Sequence, residues 1–231
     1  AKFVESLDVI RQCLPLPGVL GRACFRPCES QCRRANLDEP IAIRGLKRFV
    51  SDHCLAAGNE LELQITPSEK TGRVAVVGAG PAGVTCAYHL ALKGHQVTIY
   101  ESLSEPGGMA AVGIPDYRVP REILKGEIAQ VEKMGVNIQY NQTIGGEIKL
   151  SQLEDEFDAV FVGIGAQQSS NMDIQGENEG YAGFIPGLAY LAQINAGQDP
   201  CPGGKKIVVI GGGNVAIDCV RSSLRVDKED V

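Results

Sequence analysis

Apolar residues along this chain follow two regimes. Near the N-terminus they recur at helical spacing, with Phe3, Val4, Leu7, Val9 and Ile10 marking a short amphipathic helix. Cys13-Leu14-Pro15-Leu16-Pro17-Gly18 breaks it. The run from Pro40 to Val50 opens another helix that continues into Asp52-His53-Cys54. A polar link, Thr66-Pro67-Ser68-Glu69-Lys70-Thr71-Gly72, then marks a boundary. Beyond it come short, near-continuous apolar runs of the kind that form strands buried on both faces of a parallel sheet. Strands are predicted over 73–77, 97–100, 136–140, 157–162 and 206–210. Helices are predicted from 81 to 92, over 121–134 and 187–196, and after the glycines at 211–213.

The order strand, glycine turn, helix occurs twice, which predicts an α/β fold. It reads as a small helical cysteine module over 1–66, a Rossmann-like domain over 72–200, and the start of a second Rossmann-like domain over 205–231. A full second half would need a further strand, so that unit is expected to be truncated here.

Glycine accounts for 28 of 231 residues, against roughly 7% in average usage. That excess suggests tight turns and backbone approaching a ligand. In Gly78-Ala79-Gly80-Pro81-Ala82-Gly83, Gly78 permits the bend, Gly80 admits a pyrophosphate, and Gly83 allows close helix–strand packing. Helix N–H groups from Pro81 onward would face the phosphates. Glu101 ends the second strand, where its carboxylate can accept hydrogen bonds from a ribose diol. A glutamate there disfavours a 2′-phosphate, so the site suits FAD or NAD rather than NADP. The fourth strand closes on Gly163-Ile164-Gly165, with Gly165 a candidate cofactor contact. The second turn fits G-x-G-x-x-A as Gly211, Gly213 and Ala216, with Gly212, Asn214 and Val215 beside it; the pattern leaves NADH and NADPH open.

Formal net charge is −6, yet residues 1–50 carry nine Lys/Arg against five Asp/Glu. The asymmetry argues against a general nucleic-acid binder and suggests that the basic N-terminal part faces something anionic. No apolar run approaches the roughly 18–20 residues of a membrane span, so a cytoplasmic location is the default expectation.

Eight cysteines are too few for a disulfide scaffold at this length. Cys86 and Cys219 lie in apolar helical patterns and read as buried thiols; Cys201 reads as a loop thiol. Cys24, Cys28 and Cys32 differ, standing at strict four-residue spacing among Arg22, Arg26, Arg33 and Arg34. Such thiolates suit an iron–sulfur cluster, with zinc or three structural thiols as alternatives. Three thiolates are one ligand short, leaving Cys13, Cys54, a non-cysteine side chain or a residue outside this chain as the fourth.

Two dinucleotide sites in one chain fit hydride transfer from a nicotinamide to a flavin, which then releases single electrons. Cys-x-x-Cys is missing near the first nucleotide fold and no Ser-centred nucleophile elbow occurs, so disulfide-exchange and hydrolase mechanisms lack their parts. The whole chain resembles the glutamate synthase small-subunit type of FAD/iron–sulfur oxidoreductase, including the similar parts of dihydropyrimidine dehydrogenase and the NADH-dependent ferredoxin:NADP oxidoreductase. The resemblance rests on Gly21–Cys32 with Arg33-Arg34, the run from Pro40 to Phe49, Gly78–Gly83, Pro106-Gly107-Gly108-Met109, Gly113–Pro120 and Gly211–Asp218.

By that resemblance Gly78, Gly80, Pro81, Ala82 and Gly83 would line the FAD pyrophosphate and Glu101 would bind its adenosine ribose. Gly108 and Met109 would lie beside the flavin, Arg118 near its polar tail, Ile144 at the adenine side, and Ala23 against FAD from the cysteine module. Gly212, Gly213, Asn214 and Val215 would hold the NAD(P)H phosphates. Cys24, Cys28 and Cys32 would occupy 4Fe–4S ligand positions. The sequence departs from the family at Lys47, where relatives place a Glu or Gln ligand, at Leu20, where a cysteine is often seen, and in lacking a further upstream cysteine trio. The resemblance implies electron transfer between NAD(P)H, FAD and clusters toward another redox subunit or domain. Competing readings are a flavoprotein oxidase or reductase without a working cluster, and a non-catalytic scaffold segment of a larger redox complex.

Overall fold

Four of the five apolar runs form strands, and all four run parallel in one sheet. The computed structural model describes residues 2–58, 71–177, 179–204 and 206–226. Most of the polar link, Thr66 to Lys70, lies outside the described residues, as does the far end of the predicted 205–231 unit.

The N-terminal part contains α1 (Phe3–Arg11), α2 (Pro17–Ala23), α3 (Pro27–Ser30), a 3-10 turn at Arg33–Asn36, and α4 (Ile43–Ala56). Pro17 and Gly18, expected only to break a helix, instead begin α2 with proline in its first turn, where the absent N–H costs nothing. The next elements are β1 (Arg73–Val77), α5 (Pro81–Leu92), β2 (Gln96–Tyr100), α6 (Met109–Val112) and α7 (Arg121–Lys133). Then follow β3 (Asn137–Gln139), α8 (Leu150–Glu156), β4 (Ala159–Val162), α9 (Gly187–Asn195) and α10 (Asn214–Ser223). The sheet order is β3-β2-β1-β4, with Val76 opposite Ile99 on one side and Phe161 on the other. This is the arrangement of a Rossmann-like half, with β1 central and its C-terminal end at the crevice.

Period-2 alternation divides β1 between two cores. Val74 and Val76 pack with Val84 and Ala87 of α5 and Leu124, Ile128 and Val131 of α7. Ala75 and Val77 face the other way, onto Tyr100 and Leu153. Leu16, the N-cap of α2, and Val19 within it belong to the first of these cores, so the cysteine module is docked on the sheet's helical layer. Helix α9 shares a third core with α10, through Tyr190, Leu191 and Cys219.

Two strand expectations need correction. Residues 157–162 read as a buried strand, yet β4 leaves Val162 53% exposed and Phe161 37% exposed. It pairs with β1 alone among the described strands, so its outer side is uncovered. Residues 206–210 form no named strand. Ile207 and Val209 pack into the third core while Val208 is 88% exposed. The alternation of a strand is retained, but the described residues provide no strand to pair with it.

Candidate functional site

The first glycine turn is built around three contacts that a side chain would block. Gly78 has φ +100°, and a Cβ there would stand 2.6 Å from the Gly163 carbonyl oxygen. Gly83 lies in the first turn of α5, where a Cβ would come within 1.9 Å of the Gly78 carbonyl oxygen. Gly108 has φ +50°, and its Cβ would lie 2.9 Å from the Gly80 Cα. Gly107 N–H also donates to the Ala79 carbonyl at 2.8 Å, so the Pro106–Met109 loop is tied to the turn.

Gly80 itself meets almost nothing. Its added Cβ would find only the Gly108 Cα, at 3.9 Å. It is the N-cap of α5, whose first residues are Pro81, Ala82 and Gly83. The orphan N–H groups and positive end of a 12-residue helix therefore open beside backbone without side chains. Glu101 is buried at the tip of β2, with Oε2 accepting the Ala79 N–H at 2.7 Å and Oε1 the Leu103 N–H at 2.8 Å. A carboxylate held this way is preset to accept from hydroxyl groups arriving along the turn. The residues present fit the diphosphate and ribose of FAD.

The second turn repeats the backbone of the first. Gly211 has φ +121° beside +100° at Gly78. Gly213 caps α10 at φ −78°, ψ 176°, and Gly80 caps α5 at φ −72°, ψ 177°. Asn214 opens α10, no heavy atom lies within 4 Å of a Cβ placed at Gly212 or Gly213, and Val215 is 41% exposed. A cleft of about 1170 Å³ lies against this turn, lined by Met109, Val112, Gln168, Pro186, Ile210 and Val215 among others. It reaches from α6 to α10.

The other predicted positions lie on several elements around the two turns. Arg118, predicted near the polar tail of FAD, ion-pairs with Asp218 of α10, which is 4% exposed. Ile144 bridges to Ile148 and packs against the second core below Tyr100. Gly165 follows β4 with φ +70° and open space around it. Ala23 packs against the first core, immediately before the C-cap residue Cys24.

The three thiols that four-residue spacing predicts as one donor set are not assembled. Among the described residues no three His, Cys, Asp or Glu side chains form a group that could hold a metal ion. Cys24 caps α2, Cys28 is exposed within α3, and Cys32 follows after a turn. The spacing would give one face of a continuous helix, but α2 ends at Ala23 and Arg26 adopts a left-handed conformation, φ 56°. The described residues therefore do not fit a complete cluster. Two sulfurs nonetheless sit against backbone N–H groups. Arg26 N–H donates to Cys24 Sγ at 3.3 Å, while N–H groups of Ile41, Arg34 and Ala35 hold the Cys32 thiol below its ordinary range. Burial pushes Cys86 up and Cys219 up to about 11. In metal-free protein at neutral pH, iodoacetamide is expected to label Cys32 well before Cys86 and Cys219, read by peptide mass spectrometry.

Sequence reasoning missed Arg121 and Glu127, both in what read as an ordinary amphipathic helix. Arg121 donates to the carbonyls of Ala110 at 3.1 Å and Ile114 at 3.0 Å, holding the loop that follows Met109. Their signal was only a charge on a helix bearing many charges.

Residues 72–230 match a family profile described as pyridine nucleotide-disulphide oxidoreductase. Residues 1–59 match one described as dihydropyrimidine dehydrogenase domain II, 4Fe-4S cluster. The chain is 46% identical to the beta subunit of an NADP(+)-dependent formate dehydrogenase from Moorella thermoacetica, over 100% of this chain and 35% of that protein. It is 49% identical to the beta subunit of an NADPH-Fe(3+) oxidoreductase from Geobacter sulfurreducens, over 99% of this chain and 34% of that one. The chain thus spans about a third of the length of these relatives. Among solved structures, Mycobacterium tuberculosis FprA in complex with NADPH matches with a TM-score of 0.56 and 28% identity, covering 66% of this chain and 36% of that one. No described helix is long and apolar enough to cross a membrane.

Proposed function

The chain belongs to the pyridine nucleotide-disulphide oxidoreductase family, in the branch related to dihydropyrimidine dehydrogenase, and we propose that it takes electrons from NAD(P)H onto FAD and passes them to a partner redox subunit or domain. The observation carrying this reading is the pair of turns with matching backbone, one beside a buried ribose-reading carboxylate and the other beside an open cleft. In this assignment Gly78, Gly80, Pro81, Ala82 and Gly83 hold the FAD diphosphate, Glu101 the adenosine ribose, and Gly108 and Met109 flank the flavin. Gly211, Gly212, Gly213, Asn214 and Val215 hold the NAD(P)H phosphates. FAD supplies acceptance of a hydride and release of single electrons. The protein's part is placement: the cleft between α6 and α10 brings the two cofactors together and limits water around the transfer.

Residues 1–59 are assigned as an iron–sulfur module through their family, with Cys24, Cys28 and Cys32 as ligands completed by donors beyond that trio. The N–H groups around Cys24 and Cys32 support this, since such bonds stabilise thiolates and tune cluster potentials. A second reading, a flavoprotein reductase with no working cluster in this segment, is favoured by the unassembled thiols. Purification of the full-length protein, with flavin spectrum and iron and sulfide content, decides between them: flavin with iron and sulfide supports the first, flavin alone the second. Flavin that bleaches with neither NADH nor NADPH would overturn both.

Glu101→Ala removes the ribose acceptor and leaves the Ala79 and Leu103 N–H groups without their carboxylate. Flavin affinity is expected to fall by ~2 kcal/mol or more, measured by titrating FAD and following its fluorescence.

A further inference from the structure

A buried carboxylate with no part in cofactor binding joins the cysteine module to the dinucleotide fold. Glu127, midway along α7, is 6% exposed. Its Oε1 accepts the Gly18 N–H at 2.6 Å and its Oε2 the Val19 N–H at 3.0 Å. These are orphan donors of the first turn of α2. Ser51 of α4 donates its hydroxyl to Oε1 at 3.4 Å. One side chain of the dinucleotide fold thereby holds two helices of the module.

The fit permits little adjustment. A Cβ on Gly18 would lie 2.9 Å from Ile123 Cγ2 and 3.0 Å from Glu127 Oε1. Arg11 of α1 is 7% exposed, and Nε and Nη1 make no hydrogen bond; the Glu127 carboxylate opposes the burial that lowers this guanidinium. Tyr88 of α5 donates its hydroxyl to the Arg11 carbonyl at 3.1 Å. At the other end of α2, Ala23 packs against the core that includes Val76, Ala79 and Ala110, and Cys24 is the C-cap. The helix is only about 10 Å long, so a grip on its first turn fixes the position of its last.

We propose that Glu127 is a positioning residue: by capping α2 from the dinucleotide fold, it sets where the Cys24–Cys32 stretch that follows α2 lies relative to that fold. This deepens the electron-transfer reading and rests on it, because placement has functional weight only if electrons cross between the two parts. Electron-transfer competence then depends on a residue that touches neither flavin nor sulfur.

The test uses full-length, flavin-loaded protein and compares wild type with Glu127→Ala, Glu127→Gln and Gly18→Ala. In Glu127→Ala, amides of residues 18–24 are expected to exchange hydrogen about tenfold faster or more, with those of residues 73–92 unchanged. Flavin bleaching by NADPH is expected to keep its rate, while turnover with ferric citrate falls about tenfold. Glu127→Gln, which retains one carbonyl acceptor, should restore part of both losses, and Gly18→Ala should reproduce them from the opposite side of the contact. Unchanged exchange over 18–24 in folded, flavin-bearing Glu127→Ala overturns the proposal; if that variant does not fold, the same readout on Gly18→Ala decides. Wild-type protein that reduces its flavin but never ferric citrate would instead overturn the electron-transfer reading, and the exchange result still decides the positioning claim.

Discussion

Gly83→Ala is expected to destroy the first dinucleotide fold, whereas Gly80→Ala, three residues earlier, is expected to leave it standing and empty. A methyl group at position 83 would sit 1.9 Å from the Gly78 carbonyl oxygen and 3.1 Å from Val76 Cγ1, both parts of the strand–turn junction. Neither can withdraw, because Gly78 N–H donates to the Tyr100 carbonyl at 2.8 Å and Val76 is fully buried. Forcing α5 off the sheet costs ~3 kcal/mol or more. For a chain of this size that means a Tm lower by roughly 10 °C, or no soluble protein. At position 80 the methyl meets only one Cα at 3.9 Å, so the fold loses little beyond the N-cap preference of glycine over alanine, up to ~1 kcal/mol. Its methyl would instead project where the diphosphate is placed. Flavin affinity should weaken roughly 100-fold, about 2.7 kcal/mol. Thermal melts with and without FAD distinguish the two variants: Gly80→Ala keeps the apo Tm and loses the upward shift on adding FAD. A Gly80→Ala protein that still retains flavin through gel filtration would remove the diphosphate from this turn.

That contrast also shows why the glycine turn was legible and other features were not. Gly78 and Gly83 carry their information locally: each is needed because of atoms within a few residues or at the end of the adjoining strand, and Gly80 stands between them in the same motif, so motif and flanking periodicity define all three. Glu101 is equally local, being the first residue after the strand beside β1. Cys24, Cys28 and Cys32 show the opposite case. Their spacing suggests a shared face, but Arg26 turns left-handed between the first two and separates them. The apolar run at 206–210 likewise specifies an alternating strand without specifying its neighbour. Glu127 was invisible because its partners, Gly18 and Val19, lie more than a hundred residues away. Their need for an acceptor arises only once Pro17 starts a helix against α7.

The clasp between the α6–α7 loop and α10 is long-range in the same sense, and breaking it is the second large effect expected. Arg118 and Tyr117 stand on the loop between α6 and α7, and both grip α10. Arg118 pairs with Asp218, while the Tyr117 ring lies 4.9 Å from the Arg221 guanidinium and 4.0 Å from that of Arg225. Asn195 of α9 adds a hydrogen bond to the Val112 carbonyl at 2.8 Å. Because Gly213 and Asn214 open α10, this loop sets how the turn proposed for NAD(P)H faces the side of the cleft proposed for the flavin. Arg118→Ala leaves Asp218 buried without its partner, a loss of ~3 kcal/mol or more. The consequence for function should be selective: flavin content unchanged, flavin bleaching by NADPH slowed at least about tenfold, and KM for NADPH raised. Pairing Arg118→Ala with Asp218→Asn removes the stranded charge, so thermal stability should largely return. The bleaching rate should not, because the neutral pair no longer orients α10. Stopped-flow reduction of the double variant at wild-type speed would show that the ion pair serves stability alone, and that the facing of the two turns is set by Tyr117 and Asn195 without it.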